Sequence, residues 1–114
     1  MKLVFHKPYP EAESSSLAEI PSGLLRDPSK KVLARKSALP AFEQMCGQAA
    51  KDKVEIVALS CFRPCSVQRN LFVEAETKHG RGKGIQWLAP PGYSEHHTGF
   101  TFDLADKNRP ETND

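Results

Sequence analysis

Two candidate metal ligands lie in the segment 94–103. An imidazole and a carboxylate are common zinc ligands, and His96 and Asp103 supply one of each. The two residues are seven positions apart, which corresponds to about 23 Å of extended chain, whereas two ligands of one ion lie within a few ångströms of each other. Both can bind one zinc ion only if the chain turns between them, and Gly99 lies where that turn is needed.

Two further residues could take part in the same chemistry. His97 directly follows His96, and neighbouring residues of an extended segment point to opposite faces, so we expect one ligand and one hydrogen-bonding neighbour. Arg63 follows a predicted buried strand, where its guanidinium could bind a carboxylate or stabilise an oxyanion. Spacing alone leaves two alternatives open. Asp103 and the histidine pair could be solvated surface residues, and Arg63 could form an ordinary surface ion pair.

Two predicted helices contribute to the positioning of these residues. Apolar residues at three-and-four spacing predict a helix over residues 37–51, with Ser37 as its N-cap and Pro40 in its first turn. A second helix is predicted over residues 66–77, with Val67 on its buried face.

Strands are predicted before and after the second helix. Residues 54–59 are β-branched and mostly apolar, which is typical of a buried strand. Alternation predicts a strand over residues 100–105, with Asp103 on the polar side. Its apolar side would carry Phe100, Phe102 and Leu104. A short strand is also predicted at residues 3–5.

Length and composition restrict the class of protein. The 114 residues suit one small domain, and 39% hydrophobic with 26% charged residues is typical of a folded globular chain. The net charge of +2, without an arginine-rich run, does not favour nucleic-acid binding. No apolar run approaches the roughly 18 residues of a membrane span, and no secretory signal is recognisable, which leaves the compartment open.

The cysteines raise one alternative chemistry. Three cysteines are an odd number, which does not favour a secreted disulfide framework. A cysteine hydrolase using Cys61 or Cys65 with a histidine is disfavoured, because neither cysteine is predicted to lie at a helix N-terminus.

Two motifs carry a family resemblance. The run S-C-F-R-P at 60–64 is followed by Gln68, and the run P-G-Y-S-E-H-H-T-G at 91–99 is followed by Asp103. In this order they resemble the VanY-type D-alanyl-D-alanine carboxypeptidases, which are related to the VanX-type D,D-dipeptidases and to zinc peptidases sharing the Hedgehog fold. The chain departs from the usual residues at four positions. Cys61 replaces glycine, Cys65 replaces serine, His97 replaces glutamine and Thr101 replaces a small apolar residue.

The resemblance implies a fold and an activity. It implies one α+β domain over residues 1–114, with a small antiparallel sheet and helices packed on one side, as in the DD-peptidases. The expected activity is zinc-dependent removal of a C-terminal D-amino acid from peptidoglycan stem peptides, with D,D or L,D specificity left open. In this family the zinc ion activates a water molecule, and members usually act in the cell envelope.

The resemblance also assigns roles to individual residues. His96 and Asp103 would bind Zn²⁺, and Arg63 would be catalytic by stabilising the oxyanion. Gln68 and Ser94 would bind the substrate.

One family feature has no counterpart in this sequence. The family carries a further histidine ligand and a glutamate base in an E-x-W-H-like segment after the Asp strand, and no histidine follows Asp103 here. We therefore expect that the chain lacks the C-terminal segment of the family. It would be a fragment, a homologue that binds wall peptides without cleaving them, or a chain that receives the histidine from a partner. The missing strands would expose a sheet edge, which could allow self-association.

Overall fold

The computed structural model describes residues 8–109. They form two α-helices and four short strands: β1 (Leu17–Glu19), β2 (Leu33–Arg35), α1 (Leu39–Lys51), β3 (Ile56–Ser60), α2 (Cys65–His79) and β4 (Asp103–Asp106). Short 3-10 turns lie between them, including Lys36–Ala38 before α1 and Glu95–Thr98 before β4. The predicted α+β class is confirmed, and the strand predicted at residues 3–5 lies outside the described residues.

The antiparallel pairing is divided between two ribbons. β1 pairs with β2, and β3 pairs with β4. The connection between β1 and β2 reaches β3 through a parallel bridge from Leu25 to Ala58. Within β3–β4 the register shifts between Ala58 and Ser60, so that Ser60 faces Asp103. This irregularity brings two polar residues together at the carboxyl end of β3.

The core lies between α1 and the β3–β4 ribbon. α1 buries Phe42 and Cys46, and the Phe42 ring stacks on Phe102 with ring centroids 4.7 Å apart. Other buried members of this cluster are Ile20, Leu25, Val32, Ala34, Ala58 and Cys61. Cys61 packs in this core and so anchors the loop after β3. Arg63 lies two residues further along the same loop.

Several predicted details differ from the structure. Helix α1 begins at Leu39 with Ala38 as its N-cap, so the assignment of Ser37 as the cap was wrong, while Pro40 does lie in the first turn. In α2 the side chain of Val67 is 42% exposed, and the neighbouring Gln68 is buried instead.

The last strand is shorter than predicted. It begins at Asp103, because the Gly99 turn and the register shift leave residues 100–102 outside the ladder. Phe100 and Leu104 are exposed, and only Phe102 of the three alternating apolar residues packs against the core. Over residues 8–109, no helix has the length and apolar character needed to cross a membrane.

Candidate active site

The turn at Gly99 brings His96 and Asp103 together. Gly99 adopts φ 76°, a left-handed conformation that glycine accepts readily. A Cβ at this position would lie 3.1 Å from the backbone nitrogen of Arg35, so the turn also packs tightly. Across it, Nε2 of His96 lies 3.2 Å from Oδ2 of Asp103. The two side chains therefore converge, as the sequence predicted.

A hydrogen bond on the ring edge away from Asp103 orients the His96 imidazole. Its Nδ1 lies 2.6 Å from the carbonyl oxygen of Cys61. A carbonyl oxygen can only accept, so Nδ1 carries a proton and Nε2 is the ring nitrogen that faces Asp103. Metal-binding histidines commonly have such an outer hydrogen bond, which fixes the tautomer and the ring plane.

The pair fits two positions of a zinc site. Ligands of a tetrahedral zinc ion with bonds of about 2.0–2.1 Å lie about 3.3 Å apart, and the separation here is 3.2 Å. Within residues 8–109, however, no group of three His, Cys, Asp or Glu side chains is arranged to hold a metal ion. The donors present thus fit part of the zinc coordination shell.

Two other polar groups converge on the same carboxylate oxygen. The Ser60 hydroxyl donates a 2.8 Å hydrogen bond to Oδ2 of Asp103, which the register shift in β3–β4 makes possible. Nη2 of Arg63 lies 3.9 Å from the same oxygen. Ser60 received no role from the sequence, although it opens the first of the two motifs.

Arg63 is held by Gln68. Nη1 of Arg63 donates to Oε1 of Gln68 at 3.0 Å, and Nε2 of Gln68 donates to the carbonyl of Ala89 at 2.7 Å. Gln68 is 1% exposed, and both ends of its amide are occupied by these two bonds. The amide of Gln68 connects the guanidinium to Ala89, which lines the pocket. The direct contact of Gln68 with substrate remains a prediction.

Ser94 begins the 3-10 turn that carries both histidines. It is the N-cap of Glu95–Thr98, and its hydroxyl oxygen accepts the backbone N–H of His96 at 3.2 Å. A serine cap stabilises such a turn by satisfying a free N–H. Its O–H can still donate to a bound ligand, because the capping bond uses only an oxygen lone pair.

Ser94, His96 and Asp103 open into a pocket of about 440 Å³, a volume that would suit a short peptide. It is lined by Tyr9, Ala89, Tyr93, Ser94, Glu95, His96, Thr101 and Asp103. Tyr9 comes from the N-terminal segment, whose backbone is attached to the pocket wall by a 2.8 Å bond from Tyr9 N–H to the Gly92 carbonyl. The sequence around Tyr9 did not indicate that this residue lines the pocket, because its partner Gly92 lies 83 residues further along the chain.

The cysteines do not resemble a nucleophilic site. Burial raises the pKa of the Cys61 thiol to about 12, and its Sγ contacts the Gly99 carbonyl at 3.3 Å. Cys65 does lie at the start of α2, contrary to the sequence argument, but burial and the nearby Glu11 raise its pKa as well. Reactive cysteines have lowered pKa values, so both thiols stay protonated at neutral pH.

Sequence comparisons place the chain in a family. The profile of the D-alanyl-D-alanine carboxypeptidase family VanY matches residues 31–113. YodJ of Bacillus subtilis (strain 168), a protein named as a carboxypeptidase, is 32% identical over 74 residues, which are 65% of this chain and 27% of YodJ. The chain thus spans about a quarter of the length of that relative.

Solved structures share the fold. The LdcB LD-carboxypeptidase, whose structure concerns peptidoglycan recognition, has a TM-score of 0.74 and 30% identity, covering 85% of this chain and 46% of LdcB. VanYB in complex with D-alanyl-D-alanine has a TM-score of 0.66 and 21% identity, covering 94% and 58%. A vancomycin-resistance D,D-pentapeptidase VanY in complex with Zn(II) has a TM-score of 0.61 and 21% identity, covering 68% and 49%. With the profile match over most of its length, the chain belongs to the VanY family of D-alanyl-D-alanine carboxypeptidases.

Proposed function

We propose that this chain acts as a zinc-dependent carboxypeptidase that removes a C-terminal D-amino acid from peptidoglycan stem peptides. The observation that carries the proposal is the 3.2 Å approach of His96 Nε2 to Asp103 Oδ2 beside the Arg63 guanidinium. VanYB was solved with D-alanyl-D-alanine and LdcB in connection with peptidoglycan, which supports the substrate class.

The metal ion would be held by His96 and Asp103, with its other positions filled by water, substrate or groups beyond residues 8–109. When bound, zinc would polarise the scissile carbonyl and make a water molecule more acidic. Ser60 would keep the Asp103 carboxylate turned towards the ion through its 2.8 Å hydrogen bond.

Substrate would be held by the chain's own polar groups. The Arg63 guanidinium, fixed by Gln68, presents its other N–H groups for a terminal carboxylate or for the oxyanion that forms during hydrolysis. The Ser94 O–H would donate a second hydrogen bond to the peptide. Tyr9 and Tyr93 would enclose the peptide and exclude water from it.

A catalytically incomplete peptide-binding homologue is the second candidate. It is favoured by the donor set, because residues 8–109 offer two zinc ligands in place of a cluster of three. Such a protein would bind the same peptides without releasing D-alanine.

One experiment separates the candidates. The chain is incubated with zinc and an acetylated peptide ending in D-alanyl-D-alanine, and with a matched peptide ending in L-alanyl-L-alanine. Binding is followed by NMR and amino-acid release by chromatography. Binding and release confined to the D-peptide support the enzyme, binding without release supports the second candidate, and no preference for the D-peptide contradicts both.

We further propose that the chain can self-associate through β4. Among the described residues β4 pairs only with β3, and Leu104 is exposed along this strand. An unpaired strand edge is a template for pairing with another chain. Sedimentation velocity should show association at high protein concentration that Leu104→Lys reduces, and a monomer at every concentration would contradict the proposal.

A further inference from the structure

His97 is completely buried, although it is polar and lies next to a proposed metal ligand. Its side chain is 0% exposed. Nε2 accepts the backbone N–H of Gly92 at 3.0 Å, and Nδ1 lies 2.6 Å from the carbonyl oxygen of Arg63. Because the Gly92 N–H can only donate and the Arg63 carbonyl can only accept, His97 must be the neutral tautomer with its proton on Nδ1.

The two histidines hold the backbone of Arg63 from both sides. The Arg63 N–H donates to the carbonyl of His96 at 3.0 Å, and the Arg63 carbonyl accepts from His97. The guanidinium is held separately by Gln68. The 3-10 turn that carries His96 therefore fixes the backbone position of Arg63.

The other edge of the His97 ring connects to the pocket wall. Gly92, which donates to Nε2, precedes Tyr93 and accepts the N–H of Tyr9 at 2.8 Å. The carbonyl of His97 accepts the N–H of Ala12 at 2.8 Å. His97 thus joins three segments that are distant in sequence: the N-terminal segment, the loop after β3 and the turn before Ser94.

We propose that His97 is a positioning residue of the peptide site, which holds Arg63 at a fixed distance from the wall formed by Tyr9 and Tyr93. This inference rests on the proposed function. Glutamine offers the same pair of groups, an amide N–H to donate and a carbonyl to accept. Leucine fills a similar volume and offers neither.

The test uses ¹⁵N-labelled wild type, His97→Gln, His97→Leu and Val57→Ala, each titrated by NMR with zinc present and the acetylated D-alanyl-D-alanine peptide. Losing the hydrogen bonds of His97 to the Arg63 carbonyl and the Gly92 N–H should weaken peptide affinity by about tenfold or more in His97→Leu. His97→Gln should stay within about threefold of wild type, since it keeps both bonds. Val57 is buried in β3 outside the pocket lining, so Val57→Ala should lower stability and leave affinity unchanged.

Wild-type affinity in His97→Leu, or an equal loss in Val57→Ala, would overturn the proposal. If the wild type binds no peptide, the proposed function fails. Hydrogen exchange of the Gly92 amide then tests the positioning role of His97 independently of peptide binding. Slow exchange in wild type and His97→Gln with fast exchange in His97→Leu supports the role, and equal exchange in all three overturns it. If His97→Leu does not fold, His97→Asn, whose amide is one methylene too short to reach both partners, takes its place under the same criteria.

Discussion

The Ser60 hydroxyl donates a 2.8 Å hydrogen bond to Oδ2 of Asp103, the oxygen that also faces the His96 imidazole. The bond crosses the β3–β4 ribbon at its register shift, so a backbone irregularity orients a proposed metal ligand. Groups that orient metal ligands affect metal affinity although they do not touch the ion.

Ser60→Ala should therefore weaken zinc binding. Loss of such an outer partner typically reduces metal affinity by about 10–100-fold. Competition with a chromophoric chelator measures the change. Ser66→Ala is the matched control, because Ser66 is exposed near the start of α2. Equal zinc affinity in Ser60→Ala and wild type would show that the bond does not orient Asp103.

Gly99→Ala should destabilise the fold. The residue needs φ 76°, which costs an alanine roughly 1–2 kcal/mol, and the new Cβ would press on the Arg35 nitrogen at 3.1 Å. Urea denaturation measures the loss in free energy of unfolding. Gly47→Ala is a control of opposite sign, because a Cβ at Gly47 in α1 meets no atom within 4 Å and should stabilise by about 0.5–1 kcal/mol. A Gly99→Ala variant as stable as wild type would refute the need for this turn.

Arg63→Ala should reduce the affinity for a peptide with a free D-alanine carboxylate while zinc binding is retained. A charged hydrogen bond contributes about 1.5–3 kcal/mol, which corresponds to roughly 10–100-fold. Calorimetric titration of the zinc-loaded chain measures it. Arg69→Ala removes an exposed arginine from the nearby helix α2 and should change nothing. Similar losses from both variants would point to a general charge effect.

Glu76 should make the loop after α2 sensitive to acid. Its Oε2 accepts the Gly84 N–H at 2.6 Å, and backbone hydrogen bonds, first that from Gly84, lower its pKa below the ordinary 4.5. A lowered pKa means that this stabilisation is fully present above 4.5 and is lost as the pH falls through the lower folded value. The Gly84 amide resonance should move in that acidic range, and Glu76→Gln should abolish the transition. A transition that persists in Glu76→Gln would assign it to another group.

Cys61 should resist alkylation in the folded chain. Because burial raises its pKa to about 12, almost no thiolate forms at neutral pH. Mass spectrometry after iodoacetamide should find Cys61 modified only when denaturant is present. Rapid modification of native Cys61 that abolishes peptide binding would revive the cysteine-hydrolase alternative.

The sequence allowed part of this site to be predicted, for local reasons. The seven-residue interval between His96 and Asp103 required a turn, and the glycine between them gave its position. The hydrogen-bond partners of His97 and Tyr9 could not be predicted, because they lie in segments far apart in the chain. The exposure of Phe100 and Leu104 was missed because alternation indicates a strand but not what covers either face.

Zinc binding by the two motif residues tests the central claim most directly. Zinc is titrated calorimetrically into wild type, His96→Ala, Asp103→Ala and His79→Ala, whose mutated histidine stacks on Trp87 and is not part of the pocket lining. The account predicts one zinc ion per chain in wild type and in His79→Ala, and none in the two ligand variants. Equal binding by all four proteins, or none by wild type, would contradict it.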